Sequence, residues 1–295
     1  MTQDDSELNA LRAGPGGAPV LGAYGLRLGG LADASAAMQP VPAAAAMLDV
    51  SVEQSGVLDA AELPSEITAS LADVRLITGG RLRMRRGEGT VRFWFPTVPT
   101  ADDLLHPYLA PAAALVQLWQ GREAFHAGAF ATRNGAVLLL GGKEAGKSTT
   151  LAWLATQHGM PVLADDLAVI TEESVLAGPR CIDLRADAEI ASATIGQGRP
   201  VREQGRRRMM LPRAPDAVSL AATVVLGWGN RVAIERVPLS ARLRLLVSQR
   251  MFHAQLAPRP LDLLGVLAAP MWSLTRARGE AGLAAGVEAL LSHFA

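Results

Sequence analysis

The chain has 295 residues, of which 28 are basic and 28 acidic, so its formal net charge at neutral pH is zero. This balance gives no general attraction to nucleic acids or to anionic membranes, and we expect neither as a partner. Cys181 is the only cysteine, which excludes an internal disulfide and fits a reducing compartment. The first residues lack the pattern of a signal peptide and no apolar run is long enough to cross a bilayer, so we expect a cytoplasmic protein.

The first hundred residues predict a loose leader followed by a β-rich domain. The leader, 1–30, is rich in Gly, Ala and Pro. In the domain, 31–100, apolar and arginine residues alternate over 81–85 and 91–95, a pattern typical of a β-hairpin with one apolar and one basic face. We interpret the basic face as solvated rather than as a surface for an acidic partner. A proline-containing connector then leads into a second domain over 101–295.

The second domain begins with a helical pattern over 111–119. His106 precedes this helix, and we interpret it as part of the local structure rather than as a chemical group. Residues 125–130, which include His126, predict a strand that pairs with 136–140 across a tight turn. The run 136–140 is apolar throughout and predicts a buried strand that leads directly into the central motif of the chain.

The central motif reads G-x-x-x-x-G-K-S and lies between a predicted strand and a predicted helix. Its residues are Gly141, Gly142, Lys143, Glu144, Ala145, Gly146, Lys147, Ser148 and Thr149. In this context a glycine-rich turn presents backbone N–H groups, and the helix dipole adds positive charge, so the motif predicts binding of an oligophosphate. Lys147 would contact the outer phosphates and Ser148 would offer its hydroxyl to Mg²⁺. We therefore expect a nucleoside triphosphate and Mg²⁺ at this loop.

Lysine usage supports this interpretation. Lys143 and Lys147 are the only lysines, and every other basic residue is arginine. A compact ammonium on a flexible stem suits a phosphate loop better than a planar guanidinium does. The absence of other lysines also argues against a GTPase, because the guanine-reading N-K-x-D element needs one.

A pair of carboxylates provides the second chemical feature. The predicted helix over 147–157 is followed by a buried strand over 161–164, which ends in Asp165 and Asp166. Ligands of α/β sheets bind beyond the carboxyl ends of strands, so these side chains should face the metal and the outer phosphate. One carboxylate would hold the metal and the other would accept a proton from an acceptor hydroxyl. We assign Asp166 with Ser148 to the metal, and leave open which aspartate is the base. The alternative is that one of the pair only begins a turn.

The remaining chain carries fewer signals. Arginines are concentrated over 199–213, at positions Arg202, Arg206, Arg207 and Arg208. This segment is either a mobile element that contacts phosphate or an anionic acceptor, or a solvated loop, and the sequence favours neither. Beyond it we predict a hairpin formed by 222–228 and 232–237, and three helices. The predicted helices cover 239–252, 261–274 and 281–294.

From about 122 to 240 the layout resembles the kinase domain of HPr kinase/phosphorylase and its bacterial relatives. The resemblance rests on His126 on a strand, the G-x-x-x-x-G-K-S loop, and the Ala-Asp-Asp element that ends at Asp166. It implies an α/β fold, with a P-loop kinase core of mixed sheet and flanking helices after the smaller β-rich domain. It also implies that Asp165, Asp166, Lys147 and His126 are catalytic. Members of the family often form oligomers, so a homo-oligomer is an open expectation.

The resemblance implies an ATP-dependent kinase that transfers the γ-phosphoryl group to a serine-type hydroxyl. The family segment E-[LIV]-R-G, linked to phosphorolysis, has no good copy here. The chain is therefore more similar to divergent stand-alone members, whose acceptors are peptides or small molecules, than to HPr kinase itself. Two alternatives remain, namely an ATPase or nucleotide-sensing module without a phosphoryl acceptor, and a non-catalytic scaffold. P-loop hydrolases usually place a glutamate beside the metal-binding aspartate, where it activates water. Here the neighbouring residue is Asp166, whose shorter side chain reaches less far, and this favours phosphoryl transfer over hydrolysis.

Overall fold

An eight-stranded mixed sheet occupies the N-terminal part of the chain. The computed structural model describes residues 20–55, 65–76, 79–185, 198–201, 205–256 and 260–295. The strands are β1 (Leu21–Ala23), β2 (Leu26–Gly29), β3 (Gln39–Pro40), β4 (Ala46–Gln54), β5 (Glu66–Ile67), β6 (Leu71–Arg75), β7 (Arg81–Arg85) and β8 (Thr90–Phe95). Their order in the sheet is β3-β1-β2-β4-β8-β7-β6-β5.

The predicted leader is wrong over residues 20–29, whereas residues 1–19 lie outside the described part. β1 and β2 form a small hairpin across Tyr24 and Gly25, and Ala23, Tyr24 and Leu26 are fully buried. Both turn residues have positive φ angles, of 56° and 69°. The high Gly and Ala content hid these strands, because strands as short as three or four residues give too few alternations to stand out.

The predicted hairpin of 81–85 and 91–95 is confirmed, since β7 and β8 pair antiparallel. Its basic face is only partly solvated, because Arg81 and Arg83 both bind Asp73 on the neighbouring strand β6. Burial acts to raise the pKa of Asp73, but the hydrogen bonds and positive charges of the two arginines outweigh it and lower that pKa. The basic face of β7 is thus held by ion pairs from Arg81 and Arg83 to Asp73.

A helical segment connects the two sheets. A single turn, Ala101–Asp103, is capped by the side chain of Thr100, and the turn Leu104–Tyr108, whose backbone is extended at His106, follows it. Helix α1 (Leu109–Trp119) comes next and is buried along most of its length, which agrees with the helix predicted over 111–119. Its apolar side chains share one core with the N-terminal sheet. The division into domains of 31–100 and 101–295 stays a prediction.

A nine-stranded mixed sheet and a three-stranded sheet form the rest of the strand structure. The further strands are β9 (Glu123–Phe125), β10 (Gly128–Thr132), β11 (Gly135–Leu140), β12 (Val162–Ala164), β13 (Ala168–Ile170), β14 (Ser174–Leu176), β15 (Cys181–Arg185), β16 (Arg199–Val201), β17 (Arg206–Met210), β18 (Ala217–Trp228), β19 (Ala233–Arg236) and β20 (Met271–Arg276). The larger sheet has the order β12-β10-β11-β18-β14-β13-β9, and β20 pairs with β18 and β19. The smaller sheet has the order β15-β17-β16.

Helices cover both faces of the nine-stranded sheet. They are α2 (Lys147–His158), α3 (Leu239–Gln249), α4 (Pro260–Ala268) and α5 (Glu280–Phe294). Along β11, Val137 and Leu139 pack in the core that includes α2 and α5, whereas Leu138 and Leu140 pack in the core that includes α3 and α4. Because successive side chains of a strand point to opposite faces, a strand covered on both sides is apolar throughout. This explains the unbroken apolar run that precedes the glycine-rich motif.

Two predictions for the C-terminal part are wrong. β18 and β19 exist, but they do not pair with each other, because β20 lies between them, parallel to β18 and antiparallel to β19. The helix predicted over 261–274 ends at Ala268, since Pro270 interrupts it and Met271 already belongs to β20. The turn signal after Trp228 predicts β19 as the neighbour of this end of β18. The strand that pairs there is β20, which lies some 50 residues further along the chain. The other two predicted helices correspond to α3 and α5.

Among the described residues, no helix combines the length and the apolarity that are needed to cross a bilayer.

Candidate functional site

The glycine-rich loop, residues 141–146, connects β11 to α2. The backbone has positive φ angles at Gly141 (149°), Glu144 (68°) and Gly146 (83°). A Cβ atom added at Gly146 would lie 2.5 Å from Nη2 of Arg276, so this position requires glycine both for its backbone and for its space. Gly146 caps α2 without a side-chain hydrogen bond, which leaves the first N–H groups of the helix available to an anion.

Lys147 folds back over the loop. Its Nζ donates hydrogen bonds to the carbonyl oxygens of Gly141, at 2.8 Å, and of Gly142, at 3.4 Å. The side chain is buried, and this burial lowers its pKa, although the negative charges of Asp166 and Asp165 oppose the change. The structure thus places a partly desolvated cation at the N-terminus of α2, where it meets two carbonyl groups and no carboxylate at ion-pair distance among the described residues.

Asp165 lies beside the loop because β11 and β12 end at the same edge of the sheet. Both strands are antiparallel to β10, so they run in the same direction. The hydroxyl of Ser148 donates a hydrogen bond of 2.9 Å to Oδ1 of Asp165. Asp165 is 3% exposed, and its Oδ2 has no hydrogen-bond partner in the described part of the chain. Burial and the negative charge of Asp166 raise the pKa of Asp165 well above its ordinary value.

Asp166 lies next to this carboxylate but is more accessible. Its backbone has a φ angle of 65°, in the left-handed region that Asp tolerates better than most residues. Its side chain is 37% exposed, and its Oδ2 lies 3.8 Å from Nε2 of His106. The sequence predicts that Ser148 shares a metal site with Asp166, whereas the direct contact of Ser148 in the structure is with Asp165.

His126 supports the aspartates through the backbone. Its Nδ1 lies 3.0 Å from the carbonyl oxygen of Asp166 and donates to it. Burial and the positive charge of Lys147 lower the pKa of His126, so the imidazole is neutral at pH 7. The predicted strand over 125–130 is wrong at this point, because the chain changes partners there. β9 pairs with β13, β10 pairs with β11, and His126 lies between them with its N–H bonded to the carbonyl of Gln249.

Comparison with known proteins leaves the family open. No family model matches the chain, and no curated protein matches it. Among solved structures, the HPr(Ser) kinase/phosphatase from Coxiella burnetii is 10% identical, with a TM-score of 0.30, over 58% of this chain and 96% of that one. A likeness this distant carries no argument, so the site is judged on its own residues.

Sequence reasoning missed His106, which the structure brings to the site from the turn Leu104–Tyr108 before α1. The side chain is buried, and its Nε2 lies 3.8 Å from Asp166 and 4.0 Å from Asp183. One ligand atom each from His106, Asp165 and Asp166 lie within 4.8 Å of one another. The sequence around His106, an apolar residue before it and a proline after it, does not indicate that it lies at this site. Its contacts with Asp166 and Asp183 depend on how the turn before α1 packs against the rest of the chain.

Most of the described arginines of 199–213 lie on strands, whereas Arg213 is exposed outside them. Arg206, Arg207 and Arg208 belong to β17, whereas Arg202 lies outside the described residues. Arg208 is buried and binds both carboxylate oxygens of Asp183, at 2.7 and 2.9 Å. Burial acts to lower the pKa of Arg208, but its bonds to Asp183 raise it overall. Its guanidinium also donates to the carbonyl of His106, so its role is to hold the turn Leu104–Tyr108 against the site.

The donor set at this edge fits a magnesium ion. Mg²⁺ prefers oxygen ligands, and the hydroxyl of Ser148 and the carboxylates of Asp165 and Asp166 supply them. The buried Oδ2 of Asp165, which lacks a hydrogen-bond partner among the described residues, is the kind of acceptor that a cation would satisfy. Ser148 and Asp165, which are in direct contact, are therefore the residues that would hold the metal, with Asp166 beside them.

Proposed function

We propose that the protein is a Mg-ATP-dependent kinase that transfers the γ-phosphoryl group to a serine-type hydroxyl of a peptide, a protein or a small molecule. The observation that carries this proposal is the 2.9 Å hydrogen bond between Ser148 and Asp165. It joins the N-terminus of α2, which suits an oligophosphate, to the pair of carboxylates that suits a metal and an acceptor proton. Phosphoryl transfer needs both features at one place, because its catalysis consists mainly of positioning and charge stabilisation.

In this proposal Lys147 and the free N–H groups of α2 bind the phosphates. In the structure Lys147 donates hydrogen bonds to carbonyl oxygens of the loop. On nucleotide binding it donates instead to phosphate oxygens, which are negatively charged and therefore stronger acceptors than carbonyl groups. Ser148 and Asp165 hold the metal side of the site. Mg²⁺, when bound, neutralises part of the negative charge of the phosphates.

Asp166 is the residue that we assign to the acceptor. It is the more accessible carboxylate of the pair, so an incoming hydroxyl can approach it. The acceptor oxygen attacks the γ-phosphorus, and its proton passes to the carboxylate of Asp166. A phosphorus–oxygen bond to the acceptor forms as the bond between the γ-phosphorus and the β–γ bridging oxygen breaks, and ADP leaves with that electron pair. His126 keeps the backbone of Asp166 in position through the bond to its carbonyl.

We expect phosphate transfer to require an acceptor. The purified protein would be incubated with Mg²⁺ and γ-labelled ATP, with and without a dialysed cell extract, and label and ADP would be followed together. The kinase proposal predicts a labelled acceptor and ADP formation that rises when the extract is added. Equal ADP formation with and without extract, and no labelled product, would contradict it and favour an ATPase.

A further inference from the structure

A buried arginine lies directly beneath the glycine-rich loop. Arg276, the last residue of β20, is 2% exposed. Its Nη2 donates to the hydroxyl of Thr150, at 2.8 Å, and to the carbonyl oxygen of Gly146, at 3.3 Å. Its guanidinium carbon lies 4.7 Å from the ring centre of Trp228, whose indole N–H donates to the carbonyl of Glu144. The ends of strands β18 and β20 thus contact the glycine-rich loop through Trp228 and Arg276.

The charge of Arg276 has no counter-ion within the described residues. None of their carboxylates lies within ion-pair distance of it, and its Nε has no hydrogen-bond acceptor there. Two other buried arginines differ in this respect, because Arg208 binds Asp183 and Arg250 binds Glu123. Burial lowers the pKa of Arg276 to about 10, so the side chain still carries its charge at neutral pH. An uncompensated buried cation destabilises the folded protein. An anion that binds to the neighbouring loop would reduce this penalty.

We propose that Arg276 is a positioning residue that sets the affinity of the glycine-rich loop for an oligophosphate. The inference rests on the proposed function, since it assumes that the loop binds the phosphates of a nucleotide. Arg276 acts through Gly146 and does not itself touch the ligand. In a trans peptide the C=O and the following N–H point in opposite directions, so holding the carbonyl of Gly146 towards Arg276 directs the N–H of Lys147 away from it. When an anion binds to the loop, its negative charge compensates the positive charge of Arg276.

Arg242 provides a matched control. It is 7% exposed and also bonds only to neutral groups, the carbonyl oxygens of Val237, Leu267 and Ala269. None of these groups belongs to the loop. Both arginines are therefore buried and bonded to neutral acceptors, but of the two only Arg276 bonds to the glycine-rich loop.

The test compares Arg276→Met, Arg276→Lys and Arg242→Met. Binding of magnesium-free tripolyphosphate and of ATP would be measured by titration calorimetry, and ligand-free melting temperatures by calorimetric scanning. We expect Arg276→Met to weaken tripolyphosphate binding about ten-fold or more, because the N–H of Lys147 is no longer held towards the anion. Its ligand-free melting temperature should be unchanged or higher, because the uncompensated charge is gone. Arg276→Lys should recover part of the affinity, and Arg242→Met should leave the affinity unchanged, because Arg242 does not bond to the loop.

Two results separate this inference from the proposed function. If the wild-type protein binds both ligands and Arg276→Met binds them within two-fold of it, the role of Arg276 is overturned while the proposed function stands. If the wild-type protein binds neither ligand, both fall. Should Arg276→Met fail to fold, Arg276→Lys and Thr150→Val carry the test, since Thr150→Val removes the hydroxyl acceptor and should weaken tripolyphosphate binding. Unchanged affinity in both of these variants would overturn the inference.

Discussion

Replacing Lys147 by alanine is expected to abolish measurable ATP binding and turnover. The ammonium is the one lysine charge inside the site, and it contacts two carbonyl oxygens of the loop that would be left facing the phosphates. We expect the dissociation constant for Mg-ATP to rise by about 10²-fold or more, which is the scale of a lost charged contact in a desolvated site. Titration calorimetry with a non-hydrolysable ATP analogue measures it without interference from turnover.

Lys143→Ala is the control for this change. Lys143 is the only other lysine, it lies four residues earlier in the same loop, and its side chain is exposed. Its replacement should alter the affinity by only a few-fold, because an exposed charge is screened by solvent. A Lys147→Ala protein that binds the analogue within a few-fold of the parent would remove the loop from the account.

The second large effect concerns the two aspartates. Asp166→Asn should leave ATP binding intact and reduce phosphoryl transfer by about 10²-fold or more, the scale of a lost general base. Asp165→Asn should reduce transfer to a similar extent, but it should also raise the Mg²⁺ concentration needed for half-maximal activity, since Asp165 bonds the hydroxyl of Ser148. Steady-state rates over a Mg²⁺ series distinguish the two variants. Full activity of Asp166→Asn would remove that residue from the mechanism, and an unchanged Mg²⁺ requirement in Asp165→Asn would contradict the assignment of the metal side.

Asp165→Asn has a further readout in magnesium-free buffer. The pKa of Asp165 is raised in the folded protein, so its contribution to stability is full below the unfolded pKa of about 3.9 and is lost as the pH rises through the folded value. Asparagine cannot ionise and avoids this loss. The melting temperature of the variant should therefore exceed that of the parent at pH 8, and the difference should shrink towards pH 4. A difference that stays constant over this range would show that the carboxylate is not desolvated.

The parts of the site that depend on neighbouring residues could be predicted from the sequence. The loop, the start of α2 at Lys147 and its end before Gly159 follow from glycine positions and caps, and the structure confirms them. The same holds for strand β12, predicted over 161–164 and found at Val162–Ala164. In each case a short-range rule, such as a glycine position, a helix cap or a short apolar run, acts within the segment itself.

The parts that depend on distant contacts could not be predicted. His106 comes from the turn before α1 and Asp183 from β15, and only the packing of these elements brings them to Asp166. Arg276 is 130 positions from Gly146, and it reaches the loop only because β20 inserts beside β18. Local periodicity cannot show which strand lies next to β18, and the turn signal after it pointed to the wrong one.

The central claim is that nucleotide and acceptor meet where the glycine-rich loop and the aspartates converge. An experimental structure with Mg²⁺ and a non-hydrolysable ATP analogue tests it most directly. The account predicts the γ-phosphate between Lys147 and the Asp165–Asp166 pair, the metal in contact with Ser148, and an open approach on the side of Asp166. A nucleotide bound elsewhere on the chain, or with its γ-phosphate turned away from both aspartates, would contradict it.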